Sequence, residues 1–110
     1  MYKINFHQPA HVHFIGIGGI SMSGLAEILL KEGFTISGSD NKESALTDHL
    51  SKLGANIFYG QKASNIIPGI DVVVYTAAIH EDNEEFQAAV QQGLPMLSRA
   101  ELLGQLMTNY

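Results

Sequence analysis

A chain of 110 residues is long enough for one domain with its own core and too short for two catalytic domains. With 45% hydrophobic and only 15% charged residues it is too apolar to stay disordered, and a net charge of −5 with Arg99 as its one arginine argues against a nucleic-acid partner. No apolar run nears the roughly 20 residues of a membrane span, Met1 to Pro9 carries no signal-peptide core, and the absence of cysteine removes disulfides, iron–sulfur clusters, zinc–thiolate sites and thiol nucleophiles. The expectation is a cytoplasmic globular domain without membrane or nucleic-acid partners.

The first apolar run, Val12 to Ile17, has the length of a strand. Glycines follow, and then Met22, Leu25, Ala26 and Leu29, whose i, i+3, i+4, i+7 spacing predicts one buried helical face. Gly33 stops that helix, and Phe34 to Ser37 predicts a second strand. Ser44 caps a helix on which Leu46, Leu50 and Leu53 share a face, and Gly54 ends it. Asn56 to Tyr59 reads as a third, shorter strand. Residues 61 to 69 include Pro68 and Gly69 and give only a weak helical signal at Ala63 to Ile66.

Val72 to Tyr75 is continuously apolar, as a central parallel strand covered on both faces should be. Asn83 caps a helix with Glu84 and Glu85 in its first turn and Phe86, Ala89 and Val90 on the predicted inner face, before Gly93 and Pro95 terminate it. Met96-Leu97 is a brief fifth strand. Ser98 and Glu101 have capping-box spacing, and Leu102, Leu103, Leu106 and Met107 make a last amphipathic face. Alternating strands and helices predict an α/β fold, a Rossmann-like open parallel five-stranded sheet with helices on both faces. Because parallel crossovers are right-handed in about 98% of cases, its order should be 3-2-1-4-5.

The chemistry concentrates after the first strand. The run Gly16-Ile17-Gly18-Gly19-Ile20-Ser21-Met22-Ser23-Gly24 puts a glycine turn at a helix start, where main-chain N–H groups hold phosphate without any cation. Gly16 permits the tight turn, and Gly18 and Gly19 let a ligand approach the backbone. Ser21 replaces the third glycine of the usual dinucleotide fingerprint, with Gly24 available for the packing role. Asp40, about twenty residues on, stands where an acidic side chain accepts hydrogen bonds from a ribose; the alternative is a solvated loop aspartate. Thr76, Ala77 and Ala78 follow the fourth strand at the predicted switch point, either as ligand backing or as a plain strand-to-loop transition. His11 and His13 alternate on one side of the first strand and read as polar strand-end residues. The stretch His80, Glu81, Asp82, Glu84 and Glu85 reads as a solvated helix start, with Mg²⁺ recruitment as the alternative. No nucleophile–base pair assembles, so neither catalytic nor metal-binding residues are assigned.

The string His13-Phe14-Ile15-Gly16-Ile17-Gly18-Gly19, then Met22-Ser23-Gly24-Leu25-Ala26, with Gly38-Ser39-Asp40, Leu53-Gly54-Ala55, Tyr59-Gly60, Ala77-Ala78-Ile79, Asn83, Gly93, Pro95, Arg99-Ala100 and Leu102-Leu103, resembles the amino-terminal domain of the Mur ligases, nearest to the branch that adds L-alanine. The likeness spans residues 11 to 108. It implies a peptidoglycan-synthesis enzyme that activates the carboxylate of UDP-N-acetylmuramate with ATP and Mg²⁺ for attack by L-alanine, this domain holding the UDP end. It places diphosphate binding at Gly16, Gly18, Gly19, Ile20, Ser21, Met22 and Ser23, uridine contacts at Asp40, and support at Thr76, Ala77 and Ala78. No Gly-x-x-x-x-Gly-Lys-Ser/Thr occurs, so residues 1 to 110 are expected to be one substrate-binding domain, silent without the ATP-binding and carboxy-terminal domains. The alternatives are the nicotinamide-binding part of an oxidoreductase and a nucleotide-sensing regulatory module.

Overall fold

The structure is a computed structural model, and it describes residues 1–109. Its elements run β1 (His11–Ile15), α1 (Ile20–Lys31), β2 (Thr35–Asp40), α2 (Ala45–Lys52), β3 (Asn56–Tyr59), a 3-10 turn (Ala63–Asn65), β4 (Val72–Tyr75), α3 (Glu84–Gln91), β5 (Met96–Ser98) and α4 (Arg99–Asn109). All strand pairs are parallel and the order is β3-β2-β1-β4-β5. The fold is therefore the expected Rossmann-like sheet, with the order reversing between β1 and β4.

Helix ends follow the signals in the sequence. Ser44 and Thr47 form a reciprocal capping box, Asn83 accepts from the N–H groups of Glu85 and Phe86, and Ser98 and Glu101 cap each other across α4's first turn. Helices α1, α2 and α3 close alike, the N–H groups of Phe34, Ala55 and Leu94 returning to the carbonyls of Leu29, Leu50 and Ala89 around the intervening glycines.

On one face of the sheet, α1, α2 and α4 cover Val12, Phe14, Ile36, Val72, Val74 and Leu97, joined by Met22, Leu25, Ala26, Leu29, Leu50, Leu102 and Leu106. The predicted apolar face of α1 is wholly buried; the others are narrower than expected. Leu46 and Leu53 of α2 and its cap are 37% and 42% exposed, leaving Thr47 and Leu50 as that helix's buried contacts. Leu103 and Met107 lie about 100° around α4 from Leu102 and Leu106 and stay in solvent. Val90 is displaced in the same way from Ala89 and is 52% exposed, so α3's inner stripe is Glu85, Ala88 and Ala89, with Phe86 beside it.

Glu85 corrects the reading of residues 80 to 85 as a solvated patch. It is fully buried, as is His13, whose Nε2 lies 2.5 Å from Glu85 Oε2. Asn65 Nδ2 donates to Glu85 Oε1 at 2.9 Å and to the Gly60 carbonyl at 2.7 Å. Ser37 Oγ sits 2.7 Å from both His13 Nδ1 and His11 Nε2, so His13 is an interior residue and the strand-end reading fails for it. Ser37 has one hydrogen to donate, so at most one of the two ring nitrogens accepts from it and the other donates to its oxygen. The network fastens the start of α3 and the loop after β3 to the central strand.

Candidate functional site

The turn after β1 is built by β2. Gly16 takes a φ of 86°, which L side chains rarely adopt, and the N–H groups of Gly16 and Ile17 both donate to the Ser39 carbonyl at 2.8 Å. Ile17 then folds over Gly38. A Cβ added at Gly38 would stand 2.8 Å from the Phe14 carbonyl and 2.8 Å from Ile17 Cβ, so this close approach needs glycine. Gly24, the expected packing glycine, faces open space, and Gly38 does that work.

β2 runs longer than expected, to Asp40, which makes that residue the strand's last rather than a loop residue. Asp40 Oδ2 accepts from Gly18 N–H at 2.9 Å, and Oδ1 faces the Lys42 N–H at 3.4 Å. The carboxylate thus clamps the glycine turn from below while being only half-buried. A Cβ at Gly18 would meet Asp40 Oδ2 at 2.7 Å, so Gly18 is fixed by the clamp as much as by any ligand. Gly19 has no such neighbour: a Cβ there finds only ordinary contacts at 3.7 Å and beyond.

Helix α1 opens differently from the rest. Its cap residue is Gly19, no side chain caps its first turn, and that turn contains no acidic residue. Among the described residues α2, α3 and α4 each have a side-chain cap and an acidic residue in the first turn. The first N–H groups of an α-helix have no partner within it and carry about half a positive charge between them. Ile20 is 86% exposed and Ser21 is exposed, so this end faces solvent. Met22 packs in the core and offers only its main chain, and Ser23 is buried with its hydroxyl donating to the Ile20 carbonyl at 3.0 Å. Arg99, the first residue of α4, reaches the same turn, its Nη1 lying 3.3 Å from Ser21 Oγ.

Thr76, Ala77 and Ala78 follow β4 at the same carboxyl edge of the sheet, next to β1. Thr76 is half-buried and its Oγ1 accepts from Ala78 N–H at 3.3 Å, while Ile79 N–H returns to the Thr76 carbonyl, so this segment is an ordered turn with two exposed alanines. All the residues read from the sequence as a ligand site therefore gather at the carboxyl edge of β1, β2 and β4, at the reversal of strand order where ligands bind in such sheets. Ser39, just before Asp40, is fully buried with a hydroxyl that has no protein partner.

Residues 11–110 match the Mur ligase family, catalytic domain. The chain belongs to the Mur ligase family. This Mur ligase chain is 70% identical over all 110 residues to the UDP-N-acetylmuramate–L-alanine ligase of Agathobacter rectalis, covering 24% of it. Its fold matches the UDP-N-acetylmuramate-alanine ligase of Thermotoga maritima with a TM-score of 0.86 and 33% identity, over 91% of this chain and 23% of the other. It matches the UDP-N-acetylmuramate:L-alanyl-gamma-D-glutamyl-meso-diaminopimelate ligase of Neisseria meningitides with a TM-score of 0.76 and 33% identity, over 84% and 29%. The chain spans about a quarter of the length of the curated relatives it matches. Among the described residues no helix is long and apolar enough to cross a membrane.

Proposed function

We propose that this chain binds the uridine diphosphate end of UDP-N-acetylmuramate, as the amino-terminal domain of the cytoplasmic ligase that joins L-alanine to that sugar nucleotide in peptidoglycan synthesis. The observation that carries the reading is the bare, solvent-facing first turn of α1 behind the Gly16–Gly19 turn, in a chain 70% identical to a ligase named for that substrate. The diphosphate takes the main-chain N–H groups of Ile20, Ser21 and Met22, since those of Gly19 and Ser23 already donate to the Gly16 and Gly19 carbonyls; Ser21 adds its hydroxyl, and Asp40 turns a free lone pair toward the ribose while still holding Gly18. Thr76, Ala77 and Ala78 form the wall across the switch point.

Binding energy from this unreacting nucleotide positions the carboxylate for chemistry supplied elsewhere in the ligase. ATP does not fit the glycine turn as it fits a P-loop, because Gly16 to Ser23 contains no lysine. Nor, among the described residues, do three or more His, Asp or Glu side chains gather into a metal site. We assign ATP, Mg²⁺ and L-alanine to the part of the ligase's length that this chain does not cover, so the chain alone should be catalytically silent. The oxidoreductase and regulatory readings have no comparable support.

Isothermal titration with UDP, UDP-N-acetylmuramate and NADH tests the proposal. The two uridine nucleotides should bind and NADH should not; NADH binding with UDP ignored overturns it.

A further inference from the structure

Arg99 is the one arginine in a chain with eleven acidic residues, yet among the described residues no carboxylate pairs with it. It is half-buried at the start of α4, and the Ser98–Glu101 capping box fixes its backbone. Its guanidinium extends to a residue 78 positions earlier, donating from Nη1 to Ser21 Oγ at 3.3 Å, which is longer than a strong hydrogen bond. A guanidinium has five N–H donors in a flat fork, and this contact engages one of them.

Resting on the reading of α1's first turn as the diphosphate site, we infer that Arg99 is a diphosphate-binding side chain, closing over the ligand from α4 while the main-chain N–H groups of α1 hold it from below. The geometry places a cation in hydrogen-bond contact with the exposed hydroxyl of α1's first turn, the turn that no side chain caps. A phosphoryl oxygen near Ser21 meets the free edge of the fork, which binds phosphate bidentately and strongly. The ligand replaces a long hydroxyl contact with a charge-assisted pair. It also supplies the counter-charge that Arg99 lacks within the protein.

The test is titration of the wild-type chain and of the Arg99→Ala and Arg99→Lys variants with UDP and with uridine, alongside the thermal unfolding midpoint of each protein. Arg99→Ala should weaken UDP about 10- to 100-fold, the span expected for a lost hydrogen-bonded charge. Uridine affinity and the unfolding midpoint should stay at wild-type values, because neither involves the diphosphate. Arg99→Lys should fall between, keeping the charge and losing the fork. If wild type binds UDP and Arg99→Ala binds it equally well, the assignment of Arg99 is overturned while the diphosphate site stands. If Arg99→Ala loses uridine along with UDP, Arg99 shapes the fold rather than gripping phosphate, and the inference fails. If wild type binds neither probe, the site reading fails and takes this inference with it.

Discussion

Both faces of the sheet carry an apolar layer, with Ile15, Val73, Ile66, Ile70, Ala88 and Ala89 packed on the α3 side, but only that side also buries a polar network. Under α1, α2 and α4, Val12, Phe14, Ile36, Val72, Val74 and Leu97 make an apolar layer. Under α3 and the 3-10 turn, His13 and Glu85 are fully buried, and Ser37 and Asn65 nearly so, in a hydrogen-bonded chain from His11 to the Gly60 carbonyl. Apolar packing has no direction and tolerates a change that keeps volume. A buried polar chain tolerates little, since a member that loses its partner keeps the desolvation cost of burial. The polar face is also where the segments flanking the site are fastened: Glu85 opens α3, Asn65 closes the loop after β3, and Asn83 donates to Gln61 between them at 2.7 Å.

The largest expected effect comes from breaking the polar face. Glu85→Ala leaves His13 and Asn65 without their shared acceptor and should cost about 3–5 kcal/mol, read as a fall in the urea midpoint at constant slope. A loss under about 1 kcal/mol would mean that the network contributes no more than surface hydrogen bonds do. Gly38→Ala comes next, at about 1–3 kcal/mol, because its Cβ meets a carbonyl oxygen that cannot swing aside. Wild-type stability there would show that the turn after β1 can shift away from β2. On the apolar face, Ile36→Val removes one methylene from a position 1% exposed and should cost about 0.5–1.5 kcal/mol. If it costs as much as Glu85→Ala, the contrast between the faces disappears.

The same contrast divides what the sequence disclosed from what it hid. The apolar layer was legible because strands and helices announce it by period: Val72 to Tyr75 and the stripe Met22, Leu25, Ala26, Leu29 needed no tertiary knowledge. The glycine turn and Asp40 were legible as a spacing. Glu85 was not, because a glutamate in a helix's first turn is ordinarily explained by the helix dipole. Its partner His13 lies 72 residues away, and only the pairing of β1 with β4 brings α3 above it. A signal did exist: Glu85 shares a helical face with Ala88 and Ala89, and a carboxylate on the inner stripe calls for a buried partner. Gly38 was hidden for a related reason, since the residue crowding it, Ile17, comes from another strand's exit. Arg99 read as a lone charge until the fold carried α4's start to Ser21.

The smallest effect, and the finest probe of the polar face, is its pH response through His11. Burial, and after it the charge of His13, lower the His11 pKa from the ordinary imidazole value of about 6.5, against the raising influence of Asp71 and the Gly69 carbonyl. Below about pH 6.5 the unfolded chain then binds a proton at His11 more readily than the folded chain does, so stability rises with pH in that window. This contribution is complete above about pH 6.5 and is lost as the pH falls through the lowered folded value. The effect should be modest because His11 is half-exposed and water screens its charge. Subtracting the stability–pH curve of His11→Gln from that of wild type isolates it, since Glu85, Asp71 and His13 remain in both proteins. The difference should decline on acidification; a difference that grows instead would mean that Asp71, which accepts the His11 backbone N–H at 2.8 Å, governs the ring more than its burial against Ser37 and His13 does.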